Sequence, residues 1–252
     1  MRTKLVAANW KMNGSMDEVL SFVSAMQATD ASAVDVLLCP PALFIPAAAD
    51  AVTQHGIAMT IGAQDVGIAA QGAHTGEIGA EMLRLAGAYW TLVGHSERRL
   101  DQEETDDLIA TKMAAAVRGE LRPILCVGET LEQRQTGSER VVVARQLEAV
   151  LDRLDPAQLL TGAIAYEPVW AIGTGETATP AQAQEMHGFI REMIDGVDPE
   201  AARAMRIVYG GSVKPDNATA LFAEADIDGA LVGGASMRAE SFAAIIAAAA
   251  AA

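Results

Sequence analysis

The stretch GAIAYEPVWAIGTG at residues 162–175 contains a short apolar run, then a carboxylate, then a glycine-rich loop. The run is continuously apolar rather than alternating, which is typical of a parallel strand buried on both faces. Comparable runs recur along the chain at intervals of roughly thirty residues, the size of a strand–helix unit. There are eight such runs, at 4–10, 34–40, 57–64, 89–95, 122–128, 162–168, 206–211 and 228–234.

The segments between these runs carry helical patterns. Apolar residues recur at helical spacing over 101–118 and 139–154. The pairs Thr179-Pro180 and Lys214-Pro215 predict helix starts, because proline is favoured at the first helical position. The last helix is expected to run from Ser241 into the alanine-rich C-terminus.

Eight alternating units fit either a closed barrel or a doubly wound open sheet, and periodicity alone leaves that choice open. The chemically unusual residues cluster just after runs one, four, six, seven and eight. A closed barrel brings those loops around one mouth, whereas an open sheet spreads them along a line. The sequence therefore predicts an α/β fold of the (β/α)8-barrel class. No linker or composition break divides residues 1–252, so we expect a single domain.

Composition and charge exclude several classes of partner. The formal net charge of −15 argues against nucleic acid and against anionic membranes. No uncharged apolar run reaches the ~18 residues of a membrane span. Cys39 and Cys126 lie inside apolar runs, which predicts buried thiols in a reducing, cytoplasmic setting and no metal site. An anionic ligand would need a locally positive site on this acidic chain.

The carboxylate at the end of the sixth run is the first candidate for chemistry. Glu167 could equally be a strand-end charge that reaches solvent or a partly buried base suited to proton abstraction. The apolar, glycine-rich loop 168–178 predicts a lid, with Gly173 offering a backbone N–H to an anion. Gly173, Gly175 and Ala178 also match a dinucleotide-binding spacing, but they lie several residues beyond the strand end.

A second set of polar residues follows runs one and four. Ser96 is predicted to cap the helix after His95, and a helix N-terminus disfavours a charged imidazole. His95 is then a neutral hydrogen-bond donor; a structural or surface histidine is the alternative. Asn9 and Lys11 end run one, and Lys11 supplies a cation that Glu97 can pair with. A surface lysine is the alternative here.

Paired glycines end runs seven and eight. They are Gly210 and Gly211, followed by Ser212, and Gly233 and Gly234. Paired glycines let the backbone approach a phosphate closely, and barrels often hold phosphate between these two loops. Amide dipoles at this position would let an acidic protein bind an anion.

Taken together, these motifs resemble the triosephosphate isomerase family from one end of the chain to the other. The matching stretches are NWKMNG at 9–14, GAHTGE at 72–77, GHSERR at 94–99, CVGE at 126–129, AYEPVWAIGTG at 165–175, YGGSV at 209–213 and VGGAS at 232–236. The resemblance implies a TIM barrel that interconverts dihydroxyacetone phosphate and glyceraldehyde 3-phosphate in glycolysis and gluconeogenesis. It implies no cofactor and no metal.

The resemblance also implies a role for each motif residue. Glu167 would move a proton between carbons one and two, and neutral His95 would act on the substrate oxygens. Lys11 would stabilise the enediolate and the phosphate, while Asn9 would orient the substrate. Backbone groups of four further residues would bind the phosphate: Gly173, Ser212, Gly233 and Gly234.

Members of this family are usually dimeric, which implies a homodimer formed through loop 65–79. Thr75 matches the residue that reaches the partner's site. The chain departs from the family at Asp65, where asparagine is common, and over 67–71, which is small and poorly charged. Glu176 stands at the second hinge of the lid, where lysine is frequent.

Two other functions fit the sequence less well. An isomerase barrel acting on a larger sugar phosphate is disfavoured by the AYEPVW stretch at 165–170. A barrel that only binds a metabolite needs no base, so the combination of Asn9, Lys11, His95 and Glu167 argues against it.

Overall fold

The computed structural model describes residues 2–173 and 175–252, and within them eight parallel strands close into a barrel. Each strand pairs with its sequence neighbours, and β8 pairs with β1, which confirms the closed barrel over the open sheet. The strands are β1 (Lys4–Asn9), β2 (Val34–Cys39), β3 (Thr60–Ala63), β4 (Trp90–Val93), β5 (Arg122–Val127), β6 (Ala163–Tyr166), β7 (Ile207–Tyr209) and β8 (Gly229–Val232).

Helices follow the strands around the outside of the barrel. They are α1 (Met16–Ala25), α2 (Ile45–His55), α3 (Ala80–Leu85), α4 (Ser96–Asp101), α5 (Asp106–Arg118), α6 (Leu131–Gln135), α7 (Glu139–Leu151), α8 (Pro156–Leu159), α9 (Pro180–Asp195), α10 (Pro199–Ala204), α11 (Pro215–Phe222) and α12 (Ala239–Ala250). Among the described residues, no helix has the length and apolar character needed to cross a membrane.

Every predicted run contains a strand, but one predicted helix is wrong at its start. The segment 101–118 is divided, because 102–105 separates α4 from α5. Glu103 lies in the left-handed region with φ of 54°, which a helix does not tolerate. Thr105 then caps α5 by accepting a backbone N–H 3.3 Å away.

The other helix predictions hold with small shifts at the ends. Thr179 caps α9, which begins at Pro180 as predicted. The pattern over 139–154 gives α7, which ends three residues earlier, at Leu151. The last helix begins at Ala239 rather than at Ser241.

Alternate residues of the strands pack into two separate cores. Leu5 and Ala7 face the barrel interior, while Val6 and Ala8 face the helices. Both faces are therefore apolar, which explains why the runs in the sequence are continuous. Cys39 and Cys126 are free and buried, and burial raises the pKa of both thiols, as expected for unreactive core cysteines.

Candidate active site

A cavity of about 640 Å³ opens at the carboxyl ends of the strands, where barrels place their active sites. Its size lies within the usual range for sites that bind small molecules. The structure brings all eight residues predicted for catalysis or substrate binding to its wall: Asn9, Lys11, His95, Glu167, Gly173, Ser212, Gly233 and Gly234.

Glu167 is buried directly after β6, with 2% of its surface exposed. Its backbone N–H donates to the carbonyl of Val127 at 2.7 Å, which continues the pairing with β5. Glycines on the two neighbouring strand ends leave room for it. A Cβ on Gly128 would overlap the Glu167 carbonyl oxygen, and one on Gly210 would lie 2.8 Å from its Cγ.

The two carboxylate oxygens of Glu167 have different surroundings. Oε2 accepts the backbone N–H of Ser96 at 2.8 Å. Oε1 lies 3.1 Å from Nε2 of His95, but the ring N–H does not point at it. Among the described residues Oε1 has no hydrogen-bond partner although it is buried. One oxygen is therefore anchored and the other is free to accept a proton inside the cavity.

The prediction that Ser96 caps α4 is wrong, because His95 is the capping residue. Its Nδ1 accepts the backbone N–H of Glu97 at 3.2 Å. A ring nitrogen that accepts a hydrogen bond carries no proton, so this contact fits the predicted neutral donor with its N–H on Nε2. Ser96 is the first helical residue. Its backbone N–H has no partner within the helix and donates to Glu167 instead.

Lys11 lies in a strained backbone conformation with φ of 52°. Two side chains hold it there: Oδ1 of Asn9 accepts its backbone N–H at 3.0 Å, and Gln64 donates to its carbonyl at 2.8 Å. Its ammonium group lies 2.5 Å from Oε1 of Glu97, the pairing expected from the sequence. A Cβ on Gly233 would lie 3.6 Å from Cε of Lys11, so the lysine passes beside the loop after β8.

The lid and the glycine loops form the opposite side of the cavity. Gly173 lines it with φ of 70°, a conformation that favours glycine. Ser212 donates its backbone N–H to the Ala171 carbonyl of the lid at 3.1 Å, so this amide is engaged here. Thr174, within the predicted lid 168–178, lies outside the described residues.

Glu129 anchors the first half of loop 168–178, a role that the sequence did not reveal. Its side chain is fully buried and accepts from Nε1 of Trp170 at 2.8 Å and from Tyr166 Oη at 3.0 Å. Burial raises the pKa of this carboxyl, while the hydrogen bonds and Arg134 oppose the shift. The only signal in the sequence was its place in the CVGE stretch at 126–129.

Two further residues that line the cavity are cationic, and the sequence did not predict them as part of the site. Lys214 and Arg238 line the rim that follows β7 and β8. The sequence marked Lys214 only as part of a helix start and did not mark Arg238, because nothing in a single sequence separates them from ordinary surface cations.

Thr75 in loop 65–79 is exposed and lies outside this cavity. Asp65 at the start of that loop pairs with Lys112 at 2.7 Å and with Arg98 at 2.9 Å. Lys112 is itself buried and also contacts Glu104 at 2.5 Å. Burial raises the pKa of Asp65, although Lys112 and Arg98 act to lower it. The aspartate that stands at position 65 in place of the family's common asparagine thus forms ion pairs within the same chain.

Across the described part of the chain, no group of three or more His, Cys, Asp or Glu side chains is placed to hold a metal ion. The polar groups on the inner wall of the cavity include the Glu167 carboxylate, the His95 imidazole, the Lys11 ammonium group and several backbone amides. Such a set can move protons and stabilise negative charge.

Comparison with known proteins agrees with this geometry. A sequence model of the family described as triosephosphate isomerase matches residues 4–249. Triosephosphate isomerase of Stenotrophomonas maltophilia (strain R551-3) is 50% identical over 254 residues, with 100% of both chains covered. That of Alcanivorax borkumensis is 49% identical over 244 residues, or 97% of each chain, and that of Photorhabdus laumondii is 48% identical, covering 100% and 99%. The chain therefore belongs to the triosephosphate isomerase family of enzymes.

Proposed function

We propose that this enzyme interconverts dihydroxyacetone phosphate and glyceraldehyde 3-phosphate through an enediolate, by general acid–base proton transfer. The observation that carries the proposal is the placement of a free carboxylate oxygen and a neutral imidazole on one wall of the cavity. Oε1 of Glu167 is buried and without a hydrogen-bond partner among the described residues, and Nε2 of His95 lies 3.1 Å away. This family is a known example of a glutamate base working with a neutral histidine.

In the proposed reaction, Glu167 removes a proton from carbon one of dihydroxyacetone phosphate and returns it to carbon two. The Nε2–H of His95 donates to the carbonyl oxygen, which becomes negative as the proton leaves. His95 then moves a proton between the two substrate oxygens, so atoms and charge balance over the cycle. Asn9 orients the substrate, and the ammonium group of Lys11 stabilises the enediolate.

The phosphate binds at the opposite side of the cavity. Backbone N–H groups of Gly173, Gly233 and Gly234 donate hydrogen bonds to it. The Ser212 N–H joins them once its hydrogen bond to the Ala171 carbonyl breaks. Closure of the lid 168–178 excludes water and hinders loss of phosphate from the enediolate. We further propose that the enzyme serves glycolysis and gluconeogenesis in the cytoplasm, with residues 1–252 acting as one domain.

The assembly we propose is a homodimer formed through loop 65–79, in which Thr75 reaches the partner's site. Large apolar side chains support it: Met12 and Leu43 are both more than 80% exposed. They directly follow β1 and β2, which are adjacent in the barrel, so they lie on one side of its mouth. Light scattering on the purified protein tests this, with a particle of two chains expected and a lone chain contradicting it.

A coupled assay tests the reaction. Glyceraldehyde 3-phosphate is supplied, and formation of dihydroxyacetone phosphate is followed by NADH oxidation with a glycerol-phosphate dehydrogenase. We expect fast turnover that nearly vanishes in Glu167→Ala and survives in Glu148→Ala, a matched control at an exposed position on α7. A folded wild-type protein without turnover would instead favour a barrel that only binds a metabolite.

A further inference from the structure

An acidic protein with an anionic substrate has to produce a local positive field. The chain has 33 acidic against 18 basic side chains, and most of the basic ones are neutralised by ion pairs. Ion pairs occupy the following: Arg2, Lys11, Arg84, Arg98, Arg99, Lys112, Arg134, Arg140, Arg145, Arg153, Arg191 and Arg206. Lys11 is among them, so Glu97 cancels much of its field beyond the cavity.

Two cations at the cavity escape this neutralisation. Lys214 and Arg238 are exposed at the rim after β7 and β8, and neither forms an ion pair with any described residue. Among the described residues, the guanidinium of Arg238 donates only to Oγ of Ser241, at 2.8 Å. Asp216 lines the same rim, so the rim carries two positive charges against one negative charge.

Both cations also stand where a helix disfavours them. Lys214 immediately precedes α11, and Arg238 immediately precedes α12. A helix N-terminus carries partial positive charge and prefers serine, threonine, aspartate or asparagine at the cap. Neither side chain can accept the backbone N–H groups that a cap must satisfy. Residues that break a local stability rule at a cavity wall indicate a functional requirement.

We propose that Lys214 and Arg238 attract the phosphate of the incoming substrate and guide it to the backbone amides inside the cavity. The inference rests on the proposed isomerase function. Charges of one sign at a cleft raise the rate at which oppositely charged ligands arrive, and salt weakens the effect. This family is a known example of enzymes working near the diffusional limit, where the arrival rate controls kcat/KM.

The test compares the wild type with the double variant Lys214→Ser/Arg238→Ser. We expect kcat/KM for glyceraldehyde 3-phosphate to fall about five- to tenfold at low ionic strength and to converge with the wild type at high salt. kcat should change less than twofold, because neither side chain contacts the reacting atoms. Arg203→Ser is the matched control: Arg203 is exposed, free of ion pairs with described residues, and lies on α10 before β7, at the other end of the barrel.

Two further measurements distinguish lost attraction of the phosphate from a damaged active site or fold. Glyceraldehyde, which lacks the phosphate, should be turned over equally by the double variant and the wild type. The variant's Tm should hold or rise, because serine is the better helix cap. The inference is overturned if kcat/KM keeps its wild-type salt dependence, or if glyceraldehyde turnover falls as much as that of the phosphorylated substrate. An inactive wild type would instead overturn the proposed function.

Discussion

The backbone N–H of Ser96 donates a 2.8 Å hydrogen bond to Oε2 of Glu167, and this bond ties α4 to the end of β6. The two residues are far apart in the sequence, but the barrel places their loops at one mouth. The residue before Ser96 is His95, and its Nε2 lies 3.1 Å from the other oxygen of Glu167, Oε1. The proposed base and electrophile are therefore positioned by neighbouring groups of one short helix.

The first prediction concerns the proton on His95. Because Nδ1 accepts the backbone N–H of Glu97, we expect nitrogen NMR to find Nδ1 unprotonated and Nε2 protonated at neutral pH. His95→Gln retains a donor but loses the ring geometry, and kcat should fall about a hundredfold or more. A spectrum with both nitrogens protonated would contradict the neutral-donor role.

The second prediction concerns the buried ion pairs at the start of loop 65–79. Lys112→Met removes a cation that contacts both Asp65 and Glu104, and we expect a loss of about 3–5 kcal/mol in stability per chain. Adding Glu104→Gln should restore part of that loss. Thermal unfolding of the three proteins measures it.

The pH dependence of the same variant follows from the carboxyl groups. Burial already raises the pKa of Asp65, and without Lys112 the protonated form is favoured further. A carboxyl with a raised folded-state pKa contributes stability at low pH and loses it as pH rises. The Tm deficit of Lys112→Met should thus be smaller at pH 5 than at pH 8, and an equal deficit would be evidence against this role.

The third prediction concerns His187 on α9, which is fully buried behind β6 and β7. Burial lowers its pKa from 6.5 to about 4, although the Ala183 carbonyl opposes the shift. The unfolded chain takes up a proton below pH 6.5 and the folded chain does not, so stability falls from there down to about pH 4. The full loss amounts to about 3 kcal/mol.

The matched variant for this effect is His187→Gln, which has no titrating ring. Its Tm should fall less than that of the wild type when pH is lowered from 7.5 to 5. Parallel curves for the two proteins would rule out His187 as a source of acid sensitivity.

The fold, and the gathering of the candidate site residues at one cavity, were predictable from the sequence because local signals encode them. Continuous apolar runs mark strands buried on both faces, and a polar residue after such a run lies at the mouth of the barrel. Asn9, His95 and Glu167 were found in this way. The lid remains a prediction, made from apolar residues beside glycines in loop 168–178.

What the sequence did not reveal depends on contacts between distant residues or on a choice between adjacent caps. The partners of Asp65 are 33 and 47 residues away, at Arg98 and Lys112, and no local pattern announces them. Ser96 has the better capping side chain, but the neighbouring imidazole takes the backbone N–H instead. The break before α5 depends on Glu103, whose left-handed backbone has no strong sequence signal.

The central claim is that Glu167 moves a proton between two substrate carbons. Converting dihydroxyacetone phosphate to glyceraldehyde 3-phosphate in D2O tests it most directly, because a proton held by a carboxylate exchanges with solvent. We predict deuterium at carbon two of the product. Glu167→Gln should form this product about a hundredfold to ten-thousandfold more slowly than the wild type. Product free of solvent deuterium, or a Glu167→Gln enzyme as fast as the wild type, would contradict the account.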